Sequence, residues 1–80
     1  MSKTIELEAG TRQTDVEAGQ CDYAREYDTI KEARARAKYL ISGEYARNHA
    51  PDPVPVFRYA RIMVDGECAY DFYARGYQGE

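Results

Sequence analysis

Eighty residues, a formal net charge of −3 and 44% hydrophobic content describe one small domain, 1–80. They exclude a multidomain enzyme and a disordered chain. No apolar run exceeds three residues, so neither a membrane-spanning helix nor an apolar leader core is expected.

At the start of the chain, Ile5, Leu7 and Ala9 alternate with Thr4, Glu6 and Glu8, the period of a half-buried strand with both glutamates on its solvent side. Gly10 and Gly19 mark turns. Val16, Cys21, Tyr23 and Tyr27 fit a second strand running toward a helix.

That helix starts near Thr29. Thr29 and Glu32 have the spacing of a capping box, in which each side chain can satisfy an orphan N–H of the first turn. Asp28 adds negative charge at the positive end of the helix dipole. Ile30, Ala33, Ala37, Leu40 and Ile41 then recur at helical spacing and form one apolar stripe. Ser42-Gly43 ends or kinks it, with Gly43 as a left-handed cap, and Glu44–His49 forms a shorter helical turn. Pro51, Pro53 and Pro55 then impose an extended connection, because a ring at alternate positions admits neither helix nor central strand.

Asp65-Gly66 separates two β-prone runs, residues 57–64 and 67–74. Two such residues suit a type I′ turn, whose central positions both need positive φ. The implied register pairs Val64 with Glu67, Met63 with Cys68, Arg61 with Tyr70 and Tyr59 with Phe72. Phe57, Tyr59, Met63, Cys68, Tyr70 and Phe72 then form the face expected to pack on the helix. Arg58, Ala60, Ile62, Val64, Glu67, Asp71 and Tyr73 face the other way. The last residues, from Gly76, are expected to fray. The predicted fold is α+β: a three- or four-stranded antiparallel sheet with one main α-helix on one face and a C-terminal β-hairpin.

Catalytic chemistry has little to work with. There is one histidine, His49, beside the proline segment, where a solvated or capping role is expected. A nucleophile, base and orienting group do not assemble from Ser2, Ser42, Cys21, Cys68 and His49. These residues also lack the close pairs that a metal site needs. No phosphate-binding glycine motif is present. The reading is therefore a non-enzyme without cofactor or metal. Two scattered thiols fit a reducing cytoplasm, although one Cys21–Cys68 disulfide remains an alternative.

Charge runs acidic, basic, acidic along the chain. Residues 1–28 carry seven acids and three bases, residues 29–61 three acids and seven bases, and residues 62–80 four acids and one base. Two surfaces follow. The first is a partner-binding set of Asp15, Glu17, Asp22, Tyr23, Glu26, Tyr27, Glu67, Asp71 and Tyr73. Its carboxylates could meet lysines that normally hold phosphates, and its tyrosines could act as rigid anchors. The eight tyrosines suit such a surface, although core filling is the competing explanation. The second is an alternative nucleic-acid-binding set of Lys31, Arg34, Lys38 and Arg58, with Tyr59, Tyr70 and Tyr73 nearby. The acidic pI of about 5.1 argues against direct nucleic-acid binding.

The small size, the acidity, and the layout of strand, capped helix and Asp65-Gly66 hairpin over residues 5–74 resemble the small anti-CRISPR proteins of phages and prophages that act on type I systems. That family shares no motif, so no residue role is carried over. The resemblance implies inhibition by binding in the host bacterial cytoplasm. The partner would be a subunit of the crRNA-guided surveillance complex, and the effect a block of target-DNA binding or nuclease recruitment. The inhibitor would be a monomer or homodimer. The other readings are a small nucleic-acid-binding accessory protein and a phage structural or assembly subunit.

Overall fold

A computed structural model of the chain describes residues 3–79. In chain order the elements are β1 (Ile5–Gly10), α1 (Gln13–Glu17), β2 (Tyr23–Tyr27), α2 (Ile30–Ile41), α3 (Glu44–His49), β3 (Tyr59–Val64) and β4 (Glu67–Tyr73). The strands form one antiparallel sheet in the order β2-β1-β3-β4. The fold is α+β as predicted, with three helices where one main helix was expected.

Local chemistry sets the boundaries of α2. The Glu32 N–H donates to Thr29 Oγ1 at 3.1 Å, one half of the expected capping box. Its other end closes at Ser42, and Gly43 takes φ 89°, a conformation a side chain would resist. The β3–β4 turn has φ 53° at Asp65 and 86° at Gly66, as a type I′ turn demands.

One face of the sheet packs on α2. Ile5, Leu7 and Ala9 of β1 and Ala60 and Ile62 of β3 are buried against Ala33, Ala37 and Leu40, with Phe57 completing the cluster. Burial of this apolar surface is the main stabilising term. The apolar stripe of α2 and the alternation of β1 thus both point inward as their periods require.

The hairpin faces differ from expectation. Val64 pairs with Glu67 and Met63 with Cys68, but the register then shifts between Ile62 and Met63. Beyond the shift Ile62 pairs with Tyr70, Arg61 with Asp71, Ala60 with Phe72 and Tyr59 with Tyr73. Ala69 is the extra residue of a β-bulge, and it moves the rest of β4 by one position. Tyr70 and Phe72 therefore keep the α2 side, while their partners are Ile62 and Ala60. Tyr59, Met63 and Cys68 lie on the opposite side. A strict alternation through the hairpin cannot reveal this, because the bulge lets each strand keep its apolar residues on the same side of the sheet.

Two further expectations are corrected. Val16 belongs to α1, not to a second strand, and it is fully buried. The tail is docked as far as Gly79: the Tyr77 hydroxyl accepts from the Gln13 N–H at 2.7 Å, and Arg58 lies over the Tyr77 ring. Cys21 and Cys68 are both free thiols, in line with the main reading of two scattered cysteines and not with the alternative disulfide.

Candidate functional site

Gly10 explains how the second face is built. A Cβ at Gly10 would point at Val16 Cγ2, only 2.9 Å away. The even-numbered positions of β1 therefore face α1, and α1 lies on the side of the sheet away from α2. It covers the Gly10 end. Tyr59 is buried on this side and packs against Tyr73 with the rings tilted by 50°, and Tyr73 in turn neighbours Tyr77.

The other end of this face is uncovered. The strand registers set side chains in rows across it. One row runs Glu26, Glu6, Met63, Cys68. The next runs Ala24, Glu8, Arg61, Asp71. Glu8 and Arg61 form an ion pair at 2.7 Å with side chains 19% and 16% exposed, and an Arg61 N–H also reaches the Val16 carbonyl at 3.4 Å. Glu8 is therefore a paired, half-buried carboxylate, not the solvated acid its alternation suggested. Asp71 accepts from the Tyr59 hydroxyl and, at 3.4 Å, from the Cys68 thiol.

These contacts hold both donors in their neutral forms. Burial, then the Asp71 hydrogen bond, push the Tyr59 phenol and the Cys68 thiol upward. Burial and the Glu8 charge do the same to Cys21. A thiol raised in this way is a poor nucleophile near neutral pH. Among the described residues no group of His, Cys, Asp and Glu side chains is placed to hold a metal ion, and no helix is long and apolar enough to cross a membrane.

The partner-binding candidates divide between the two faces. Asp15, ion-paired to Arg12 at 3.2 Å, and Glu17 ride on α1, Asp22 adjoins Gly10, and Glu26, Asp71 and Tyr73 project from the sheet, so these share the α1 side, with Glu26 at the end away from Gly10 and Tyr73 at the Gly10 end. Tyr23 and Tyr27 lie on the α2 side instead, joined hydroxyl to hydroxyl and packed against the main core. Glu67, opposite Val64, is also on that side. Glu6 and Glu8 belong to the acidic patch and were absent from the predicted set. The signal for them was the alternation of β1, which placed them opposite the core but did not reveal which neighbours β2 and β3 would bring.

The basic candidates divide as well. Lys31, Arg34 and Lys38 form a ridge on α2, and the Arg34 guanidinium lies 5.4 Å from the centroid of the Tyr70 ring. Arg58 is occupied by Tyr77 on the α1 side and does not extend that ridge. His49 accepts or donates at Nδ1 to the Tyr45 carbonyl and stacks on the Tyr45 ring, a local role within α3.

No protein-family model, no curated protein and no solved structure matches this chain.

Proposed function

We propose that this protein is a non-enzymatic inhibitor that works by contact. Its acidic sheet face docks on a basic surface of a protein that handles nucleic acid. The specific partner, following the resemblance in size, acidity and layout, is a subunit of a type I CRISPR surveillance complex. Docking there blocks target-DNA binding or nuclease recruitment.

One observation carries the reading. Glu6 and Glu26 stand across from each other on the uncovered end of the sheet, and neither forms an ion pair among the described residues. Like charges directly opposite in a sheet are destabilising. A lysine or arginine brought by a partner relieves that repulsion, so the pair contributes to association what it withholds from folding. Met63 and Cys68 continue the same row with soft apolar area. An acidic rim around an adaptable apolar strip suits a protein partner better than a small-molecule substrate.

The test mixes the chain with a purified type I surveillance complex and measures co-elution and target-DNA affinity. Wild-type protein is expected to co-elute and weaken DNA binding. Glu26→Lys is expected to abolish both while leaving the fold intact. No co-elution, or full inhibition by the Glu26→Lys variant, overturns the proposal. Salt-dependent retention on DNA, weakened by Lys31→Glu with Lys38→Glu, would favour the accessory reading instead.

A further inference from the structure

β4 is an edge strand, and the phase of its hydrogen bonds can be followed residue by residue. The Asp65 N–H donates to the Thr4 carbonyl, so odd-numbered positions of β3 bond β1 and even-numbered positions bond β4. Opposite Ala60 and Ile62, the backbones of Phe72 and Tyr70 turn toward β3. Ala74, which donates to the Arg58 carbonyl at 2.8 Å, continues that phase. The peptide groups of Asp71 and Tyr73 therefore point outward, and among the described residues no turn or loop hydrogen bond uses them. Such an edge is a template for another extended chain.

The flank of this edge selects the chemistry of that chain. Lys31, Arg34 and Lys38 are spaced three and four residues apart, so they line one ridge of α2. Arg34, lying over Tyr70, brings the ridge alongside β4. None of the three forms an ion pair among the described residues. A helix places these cations about 4.5 and 6 Å apart along its axis. An added strand presents same-side residues at about 6.8 Å, within reach of long flexible side chains. Tyr70, 39% exposed, and Tyr73 give ring area on the two faces of the edge. The charged side chains of β4 itself, Glu67 and Asp71, are acidic, and Asp71 is engaged by Tyr59 and Cys68 on the other face, so the positive flank of this edge is the α2 ridge alone; the opposite edge, β2, carries Arg25 and Glu26 side by side.

We propose that the outer edge of β4 captures an extended acidic peptide segment as an added strand. Its backbone bonds the outward groups of Asp71 and Tyr73, and its alternate carboxylates meet Lys31, Arg34 and Lys38. A nucleic acid could use the cations but has no ladder of amides to satisfy the strand, and Arg58 is not there to lengthen the track. This surface uses the outward backbone of β4 and the α2 ridge, not the Glu6–Glu26 row that carries the function proposed above, so it stands independently of that reading.

The probe is a fluorescein-labelled heptapeptide of alternating glutamate and threonine. Two controls accompany it: the same peptide N-methylated at every amide, and an oligothymidylate of equal charge. Saturable binding of the first peptide is expected, with hydrogen exchange at the Asp71 and Tyr73 amides slowed about tenfold or more at saturation. Lys31→Glu with Lys38→Glu, both exposed positions, is expected to weaken binding by about tenfold or more. Circular dichroism checks that this variant is folded. N-methylation is expected to abolish binding. Equal affinity for the N-methylated peptide, unchanged exchange at Asp71 and Tyr73, or binding of the oligothymidylate in place of the peptide overturns the proposal.

Discussion

Glu6 of β1 stands directly across from Glu26 of β2. Because the even-numbered residues of β1 bond β3, this is a non-hydrogen-bonded pair on the β2 side, the arrangement in which facing side chains approach most closely. Its repulsion is a cost to the isolated fold. Glu26→Lys converts it to an attraction and is expected to raise stability by about 0.2–1 kcal/mol. The check is the urea midpoint of both proteins at low and high salt. Wild type should gain stability as salt screens the pair, and the variant should gain less. A variant that folds better and binds its partner worse is the signature of a pair kept for contact.

Gly10 predicts the second effect. Its backbone angle is ordinary, so the requirement is space: the missing side chain is what lets Val16 seat α1 on the sheet. Gly10→Ala forces a methyl group to within 2.9 Å of Val16 Cγ2, inside normal contact. Overpacking of this kind costs about 1–3 kcal/mol. Thermal melting should show the loss, and Val16→Ala in the Gly10→Ala background should recover part of it. Two single losses that merely add would mean that the two residues do not meet.

The Glu8–Arg61 pair joins three elements, since Arg61 in β3 bonds Glu8 in β1 and the Val16 carbonyl at the end of α1. Removing one partner leaves the other half-buried without its hydrogen bonds. Arg61→Met is expected to cost about 1–3 kcal/mol. Glu8→Gln should cost less, because an amide keeps an acceptor for the guanidinium. A double-mutant cycle by chemical denaturation should return a coupling energy of the same sign. Hydrogen exchange in α1 should quicken in Arg61→Met, as its carbonyl anchor is gone.

Where residues 5–9 alternate and residues 30–41 repeat with helical period, local pattern and tertiary burial agree, and sequence reading recovers β1 and α2. The turn at Asp65-Gly66 was legible for the same reason: only a few residue types tolerate its backbone. What was illegible depended on partners distant in the chain. The bulge at Ala69 has no residue signature, yet it decides which neighbours face Arg61 and Tyr59. Helix α1 buries a single residue, Val16, and its N-cap Arg12 makes no side-chain cap hydrogen bond, so neither periodicity nor capping announces it. Tyr77 anchors the tail through the Gln13 N–H, a contact 64 residues apart. The acidic site was half visible for this reason: Asp15, Glu17, Asp22, Glu26, Asp71 and Tyr73 share the α1 side, but Glu6 and Glu8 join that side only once strand order is known.

The tyrosine pair on the α2 side gives a dependence on alkaline pH. Burial, then the hydrogen bond with Tyr23, push the Tyr27 phenol from its usual value near 10 up to about 12. The folded state therefore favours the neutral phenol more than the unfolded state does. That contribution is fully present below pH 10 and is lost as pH rises through 12. Tyr59, raised in the same direction by burial and Asp71, adds to the alkaline loss. Absorbance at 295 nm should show a late phenolate step, with unfolding by circular dichroism following it. Tyr27→Phe removes the ionisation and the hydroxyl contact together. It is expected to be about 0.5–1.5 kcal/mol less stable at pH 7, with a shallower decline above pH 10. Equal slopes in the two proteins above pH 10 would place the alkaline sensitivity elsewhere.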